Sequence, residues 1–427
     1  MNKLFKKEVF RGMLLLGIVL VFALTPICAH AQNSGSLTIW SFTDELRDMI
    51  NNYYKSSHSK VKVTYVKHAT EDFPKKLDPV LASGKKVPDV FALEAAFVRK
   101  YVESGQLLEL TDVYMANRSK LMQYTVDVGT YNGRVYAMSW QACPGAMFYR
   151  RSLAKKYLGT DDPKTVQTYF SNMNKLLDTA KLLKTKSNGT CVVVSSYGEL
   201  YTPYLSGRNS PWVVNGKVVI DPMIERYMDM AKTFHDFKYH AGVWQWSDGW
   251  YAGMRGELKD DSGKDVEVFA YFLPTWGLHY ILKTNAPTTS GDWAMIQGPL
   301  PYSWGGTWLA AWKNTPNSAA AKEMIRYFTA DDDFMELYAK ATGDMVSNTT
   351  VVDRIKGSYS EPFLGGQNHY AEFAEMAKNV NGKLRQGTDA EIEELFHDAM
   401  NEFVFNGKTM KDTLAQFTAE AEKLIKK

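Results

Sequence analysis

Nine of the chain's eleven tryptophans fall between Trp212 and Trp312. They come in runs such as Trp244-Gln245-Trp246-Ser247-Asp248-Gly249-Trp250 and Trp304-Gly305-Gly306-Thr307-Trp308, mixed with glycine, acid and amide side chains. A core can be filled with Leu, Ile and Val, so indoles set among glycines and polar residues predict flat aromatic plates lining a cleft. A sugar ring suits such plates: its C–H face stacks on indole, and its hydroxyls need donors and acceptors from Asp, Glu, Asn and backbone amides. For any single tryptophan, ordinary core packing is an equal alternative. The grouping is what favours a site.

Other chemistries find less support. The sequence contains no G-x-S-x-G, no H-E-x-x-H, no phosphate loop and no G-x-G-x-x-G. His235 and His240 are five apart, off the spacing that puts two metal ligands on one helical face. Asp260, Asp261 and Asp265 surround Gly263 without the ligand spacing of a calcium loop, and read as a solvated turn. No metal site and no cofactor are expected. A glycoside hydrolase, with two carboxylates flanking one bond, is the competing reading, since Asp, Glu and Trp are abundant. Capture of a metal chelate, polyamine or peptide is a third.

The elements that must position these residues follow from periodicity. Leu37 to Trp40 reads as a strand, Ser41 to Ser56 as a helix with Leu46, Met49, Ile50 and Tyr53 on one face, and Val61 to Val66 as the next strand. That is a βαβ unit, which places Trp40 and Asp44 at the carboxyl edge where ligands of open α/β sheets bind. For Asp44 the alternative is a first-turn acid favoured by the helix dipole. A helix from Phe73 to Ser83 precedes the buried strand Pro88 to Glu94, which puts Glu94 at a second edge position. A further helix runs from Ala95 to Ser104 and stops at Gly105. Tyr131 to Ala137 forms a hairpin-like turn, and Ala146 to Arg150 a strand leaving toward a second region. There helices near Val166 to Leu183 and Met223 to Tyr239 flank a strand Cys191 to Ser195. Helices end the chain: Ser318 to Thr329, Tyr370 to Val380, Asp389 to Phe405 and Thr409 to Lys426. No internal repeat is present.

The start of the chain reads as an export signal. Lys3, Lys6, Lys7 and Arg11 precede the apolar run Met13 to Leu24, and Ala29-His30-Ala31 offers a cleavage site before Gln32. The run is short of the roughly 20 apolar residues a spanning helix needs. A lipid anchor on Cys28 is the poorer fit, because Thr25-Pro26-Ile27 lacks the usual small residues. The leader holds four of the 50 Lys+Arg and one of the 47 Asp+Glu, leaving 46 of each and a formal net charge of zero. Electrostatics therefore gives no case for nucleic acid or an anionic membrane surface. Cys143 and Cys191 remain; they could pair, but two cysteines are no disulfide framework. The 396 residues after the leader exceed what one core usually organises, so two domains are expected.

In order along the chain, Leu37-Thr38-Ile39-Trp40 with Asp44, Pro88-Asp89-Val90 through Gly105-Gln106-Leu107-Leu108, and Tyr131 to Ala137 with Phe148-Tyr149-Arg150-Arg151 form a series of motifs. Gly305-Gly306-Thr307-Trp308-Leu309-Ala310 with the helix Ala319 to Ala330 completes it. In this order they resemble the family 1 extracellular solute-binding proteins, the maltose-binding-protein-like, carbohydrate-capturing subunits of bacterial ABC importers. The resemblance covers nearly the whole mature chain. It implies an α/β, two-lobed periplasmic-binding-protein fold of type II-like form, with a hinge and a ligand cleft between the lobes. Residues 1–31 would be a signal peptide, residues 32–144 plus about 296–342 the N-terminal lobe, and about 145–295 plus 343–427 the C-terminal lobe. Crossings are expected near Gly145, Met295 to Pro299 and Thr342 to Met345.

The expected stacking plates are then drawn from Trp40, Trp140, Trp250, Trp276, Trp304 and Trp308. Asp44 and Glu94 would accept hydroxyl hydrogen bonds, and Gly305 and Gly306 would let backbone amides approach the ring. Tyr204 stands where the family's second lobe offers an aromatic. The resemblance also implies a carbohydrate ligand, membrane permease subunits as partners, a monomer, and a periplasmic or extracellular location. The Trp244 to Trp250 run and Trp140 to Gly145 depart from the maltose binder and leave the sugar open.

Overall fold

Leu37 and Ile39 are wholly buried and alternate with more exposed neighbours, the period of two that makes Gly35–Ser41 a strand with one face in the core. The computed structural model describes residues 35–426, so the predicted export leader and Cys28 lie outside the described residues. Gly35–Ser41 pairs in parallel with Val61–Lys67, from Gly35 opposite Val61 to Ser41 opposite Lys67. Its other neighbour is Val90–Glu94, also parallel. Val90 to Leu93 are fully buried, as a central strand covered on both faces must be. Thr307–Ala311 and Met138–Ser139 complete this first sheet in antiparallel sense.

The expected helix after the first strand forms with a change of pitch: Asp44–Met49 passes into a π-helical turn Ile50–Tyr54 before Lys55–Ser57. Phe73–Ser83 and Asp389–Phe405 match the periodicity end for end. Asp221 caps Pro222–Asp236, accepting from Met223 N and also from Asn209 N and Ser210 N.

A second sheet is built on Gly145–Arg150, flanked antiparallel by Ala270–Pro274 and Trp293–Ile296. The chain thus moves between sheets after Ser139 and again after Ile296, and the segment Met345 to Ser347 runs beside the first of these passages. These passages are bonded to one another. Gly145 N donates to Tyr302 O, Trp304 N to Cys143 O, Ala142 N to Met345 O and Ser347 N to Trp140 O, all within 3.1 Å. Three strands of chain joined by backbone hydrogen bonds form a narrow connection of the kind a hinge uses. Cys143 and Cys191 are both buried and unpaired. Among the described residues, no helix is long and apolar enough to cross a membrane.

Candidate functional site

The carboxyl edge of the first sheet faces elements that follow the second, and a cavity of about 420 Å³ lies between them. Phe42, Glu45, Glu94 and Gln141 form one wall, Trp246, Trp276 and Tyr280 the other, and Trp304-Gly305-Gly306 the floor. The sequence puts them there for local reasons. Thr43 caps the helix after the first strand, its Oγ1 accepting from Glu45 N at 3.1 Å, which starts the helix at the sheet edge. Glu94 ends the central strand and its carboxylate accepts from Ala96 N at 2.6 Å. Trp276 follows Ala270–Pro274, and its indole Nε1 donates to Trp304 O at 3.0 Å, locking two plates together.

Gly305 and Gly306 have φ of 73° and 111°. A Cβ on Gly305 would sit 2.8 Å from Trp276 Nε1, so glycine is required for the chain to turn beneath that indole. Three indoles then surround the floor. Trp276 and Trp304 are 5.3 Å apart at 62°, and Trp246 and Trp304 6.0 Å apart at 66°. Trp246 lies parallel to Trp276, within 7°, at 6.2 Å between centroids. A pyranose stacked on both faces would need about 3.5–4 Å on each side. That pair is therefore too close to hold a ring between them, and a sugar stacks on an outer face or displaces Trp246.

Trp246 is itself unusual. Ser247 N and Ser247 Oγ both donate to Trp244 O, closing a tight turn with Trp246 at its third position and φ 71°. A type II turn normally places glycine there, and a bulky side chain at positive φ is strained. Trp246 is 54% exposed. We expect Trp246→Gly to relieve the turn and weaken sugar binding while changing stability by no more than about 1 kcal/mol. Urea unfolding beside a sugar titration checks this, and a stability loss above 2 kcal/mol would show that Trp246 is a core residue.

The carboxylates differ in setting. Glu45 accepts from Tyr338 OH, from Tyr280 OH at 3.1 Å and, weakly, from Gln141 Nε2 at 3.5 Å. Burial raises its pKa, as it does that of Glu94. Gln141 Nε2 also donates to Asp344 at 3.0 Å, so the cleft wall is tied to the passage near residue 344. Beneath the aromatic wall, Glu199 is 1% exposed and accepts from Trp250 Nε1 (2.7 Å), Ser195 OH (2.8 Å) and Phe272 N (2.9 Å).

Burial pushes Glu199 up from 4.5 to about 7 despite those donors. The native state then holds a proton that the unfolded chain releases, so this group's contribution to stability is full below pH 4.5 and declines as pH rises through about 7. Glu199→Gln should therefore compare progressively better with the parent between pH 5 and about 7.5. Chemical denaturation across that range is the check, and a pH-independent difference would contradict it.

Of the expected site residues, the structure brings Glu94, Trp276, Trp304, Gly305 and Gly306 to this cavity. The others are placed elsewhere. Trp140 and Trp250 are wholly buried in the core and present no face to a ligand. Trp250 lies within the helix Asp248–Arg255, where Met254 one turn later shares its buried face. Trp40 packs edge-on against His68 at 4.6 Å. Asp44 is exposed and ion-paired with Arg47 and Lys67, the dipole-favoured acid of the alternative reading. Tyr204 is 2% exposed and packs on Tyr227. Trp308 donates from Nε1 to Thr125 O and lines only a small cavity of about 40 Å³ beside Gly305.

The residues sequence reasoning missed are Glu45, Gln141, Trp246 and Tyr280. Reading Ser247 and Thr43 as helix caps would have found two of them. A cap at Ser247 turns Trp250 inward and leaves Trp246 outside, while the inward face set by Leu46 and Met49 leaves Asp44 with Arg47 on the solvent side. Asp260 caps its own turn, accepting from Ser262 N, Ser262 OH and Lys264 N in the exposed loop near Gly263.

This arrangement has known counterparts. The lactose-binding protein of Rhizobium radiobacter is 21% identical over 373 residues, spanning 83% of this chain and 85% of that protein. The crystal structure of a family 1 extracellular solute-binding protein superposes with a TM-score of 0.79 at 21% identity, covering 91% of this chain and 99% of the other. An ABC-transporter-associated binding protein of B. animalis subsp. lactis Bl-04, solved with β-1,6-galactobiose, gives 0.70 at 19% identity, covering 92% and 98%. The fold is thus the two-lobed periplasmic-binding-protein fold with its cleft between lobes. Residues 49–362 match the family model of the bacterial extracellular solute-binding proteins, and the chain belongs to that family.

Proposed function

We propose that this protein captures a carbohydrate, an oligosaccharide, between its lobes and delivers it to the permease of an ABC importer. The observation that carries this reading is a single cavity lined by Trp246, Trp276 and Trp304 together with the acceptors Glu45 and Glu94. Indole faces offer the apolar side of a sugar its partner, and half-buried carboxylates offer its hydroxyls theirs. The lactose binder and the galactobiose-bound structure support the same class of ligand. The binding arithmetic is consistent: a few aromatic contacts of about 0.5–1.5 kcal/mol and charged hydrogen bonds of about 1.5–3, less ordering costs, reach micromolar affinity.

The N-terminal lobe on this reading comprises residues 32–144 and about 296–342, and the C-terminal lobe about 145–295 and 343–427. Ligand favours the closed arrangement because only there do both lobes touch it, and the closed form is what the permease recognises. The protein works as an exported monomer, with the leader cleaved before Gln32, and performs no chemistry on its ligand. Hydrolysis is the second reading, since Glu45 and Glu94 both line the cavity with raised pKa values. Uptake of labelled oligosaccharide by cells lacking this chain tests delivery: uptake should fall to background and return on complementation. Unchanged uptake, or turnover of a chromogenic glycoside by the purified protein, would overturn it.

A further inference from the structure

Arg208 is 5% exposed, yet among the described residues its guanidinium makes one hydrogen bond, from Nε to Leu205 O at 3.0 Å, and no ion pair. Its Nη1 has no acceptor there. Its Cζ lies 4.6 Å from the centre of the Trp212 ring, a contact that favours the cation but satisfies none of its N–H groups. Buried donors are normally paired, and charged ones most of all, so a guanidinium kept in this place calls for an acceptor.

The acids nearby do not supply it. Asp389 is 1% exposed, and neither of its oxygens takes a hydrogen bond from Arg208 or from any other described residue. Burial pushes its pKa up to about 7, which leaves it part-protonated at neutral pH. Glu393 is paired with Arg385 at 3.0 Å. Glu94, whose charge Arg385 also feels, accepts from Ala96 N.

The two arginines meet at the cavity of about 40 Å³ beside Gly305. Ser206, Ser303 and Asn381 line it with them, and among the described residues no Asp or Glu does. The Asn381 side-chain oxygen already accepts from Lys383 N at 3.0 Å, so its free end is the donating amide nitrogen. At roughly 10–15 Å³ per water, such a space takes a small ion or a few waters and no sugar ring.

We propose that Arg208 and Arg385 hold a small inorganic monovalent anion, of the size of chloride, in the cavity beside Gly305. The ion accepts from both guanidiniums and gives Arg208 the counter-charge that Asp389 and Glu393 withhold. Trp308 reaches the cavity from the first sheet, and Ser206 and Arg208 reach it from the helix Tyr201–Ser206 and its end. The ion therefore joins distant parts of the chain and stabilises them together. This site is independent of which solute the aromatic cavity captures.

The test is thermal unfolding of the full mature chain with chloride exchanged for isethionate, an organic anion too large for the cavity, at one ionic strength, beside anomalous scattering from bromide-soaked crystals. Replacing isethionate by about 200 mM chloride should raise the unfolding midpoint by about 2 °C. Bromide should lie within hydrogen-bond reach of both guanidiniums. Arg208→Gln should abolish the shift, and Ser303→Ala, which keeps both arginines, should reduce it. A midpoint indifferent to chloride, a shift that persists in Arg208→Gln, or bromide found only at the surface would overturn the site and leave the cavity to water. A larger shift with galacturonate than with chloride, lost in Arg208→Gln, would overturn it in favour of a ligand carboxylate. Should Arg208→Gln fail to fold, the position of bromide in the parent protein decides.

Discussion

Trp304→Ala is expected to lower affinity for the captured sugar by about 30- to 100-fold, close to 2–3 kcal/mol, the scale of a central aromatic anchor. Trp304 lines the aromatic cavity and is flanked by the Trp246 and Trp276 rings. Its loss removes a stacking face from that cavity. The backbone beneath should persist, because Trp304 N donates to Cys143 O and Trp304 O accepts from Trp276 Nε1, neither through the Trp304 side chain. Far-ultraviolet circular dichroism should therefore match the parent while calorimetric affinity collapses. An affinity within threefold of the parent would place the sugar elsewhere.

Gly145→Ala is expected to cost about 3 kcal/mol of stability, at the upper end of overpacking penalties. A Cβ there would lie 2.0 Å from Cε2 and Cζ of Tyr302. Tyr302 cannot swing aside cheaply, since its OH donates to Ala146 O at 2.9 Å and lies 3.2 Å from Leu273 O, and it is 1% exposed. The clash falls where Gly145 N bonds Tyr302 O, in the connection between the sheets. Lobe movement should suffer together with stability. Urea unfolding measures the loss, and Gly145→Ala with Tyr302→Leu should recover part of it, because the truncated ring makes room for the methyl. A Gly145→Ala protein as stable as the parent would mean the crossing is loosely packed.

The fold was legible because its signals are local. Alternation in Gly35–Ser41, an unbroken apolar run in Val90–Glu94 and helical spacing in Pro222–Asp236 each identify an element from a window of residues. The site was legible only in part. Composition located the Trp-rich section, and the glycine pair at Gly305 and Gly306 marked the close approach beneath Trp276. Which indole of a cluster faces the cavity depends on helix phase and on packing from distant segments. Trp250 turns inward because a buried carboxylate, Glu199, waits 51 residues earlier to accept its Nε1 proton. Trp140 is sealed in because the chain near Ser347 bonds across it. Gln141 and Tyr280 reach the cavity through Asp344 and Glu45, partners that no short window connects.

The most direct test of sugar capture is calorimetric titration of residues 32–427 with mono- and oligosaccharides, with the sugar recovered afterwards. Saturable one-to-one binding near micromolar affinity is expected, with quenched or shifted tryptophan emission and the sugar recovered intact. No response to any saccharide, or recovery of cleaved products, would contradict it.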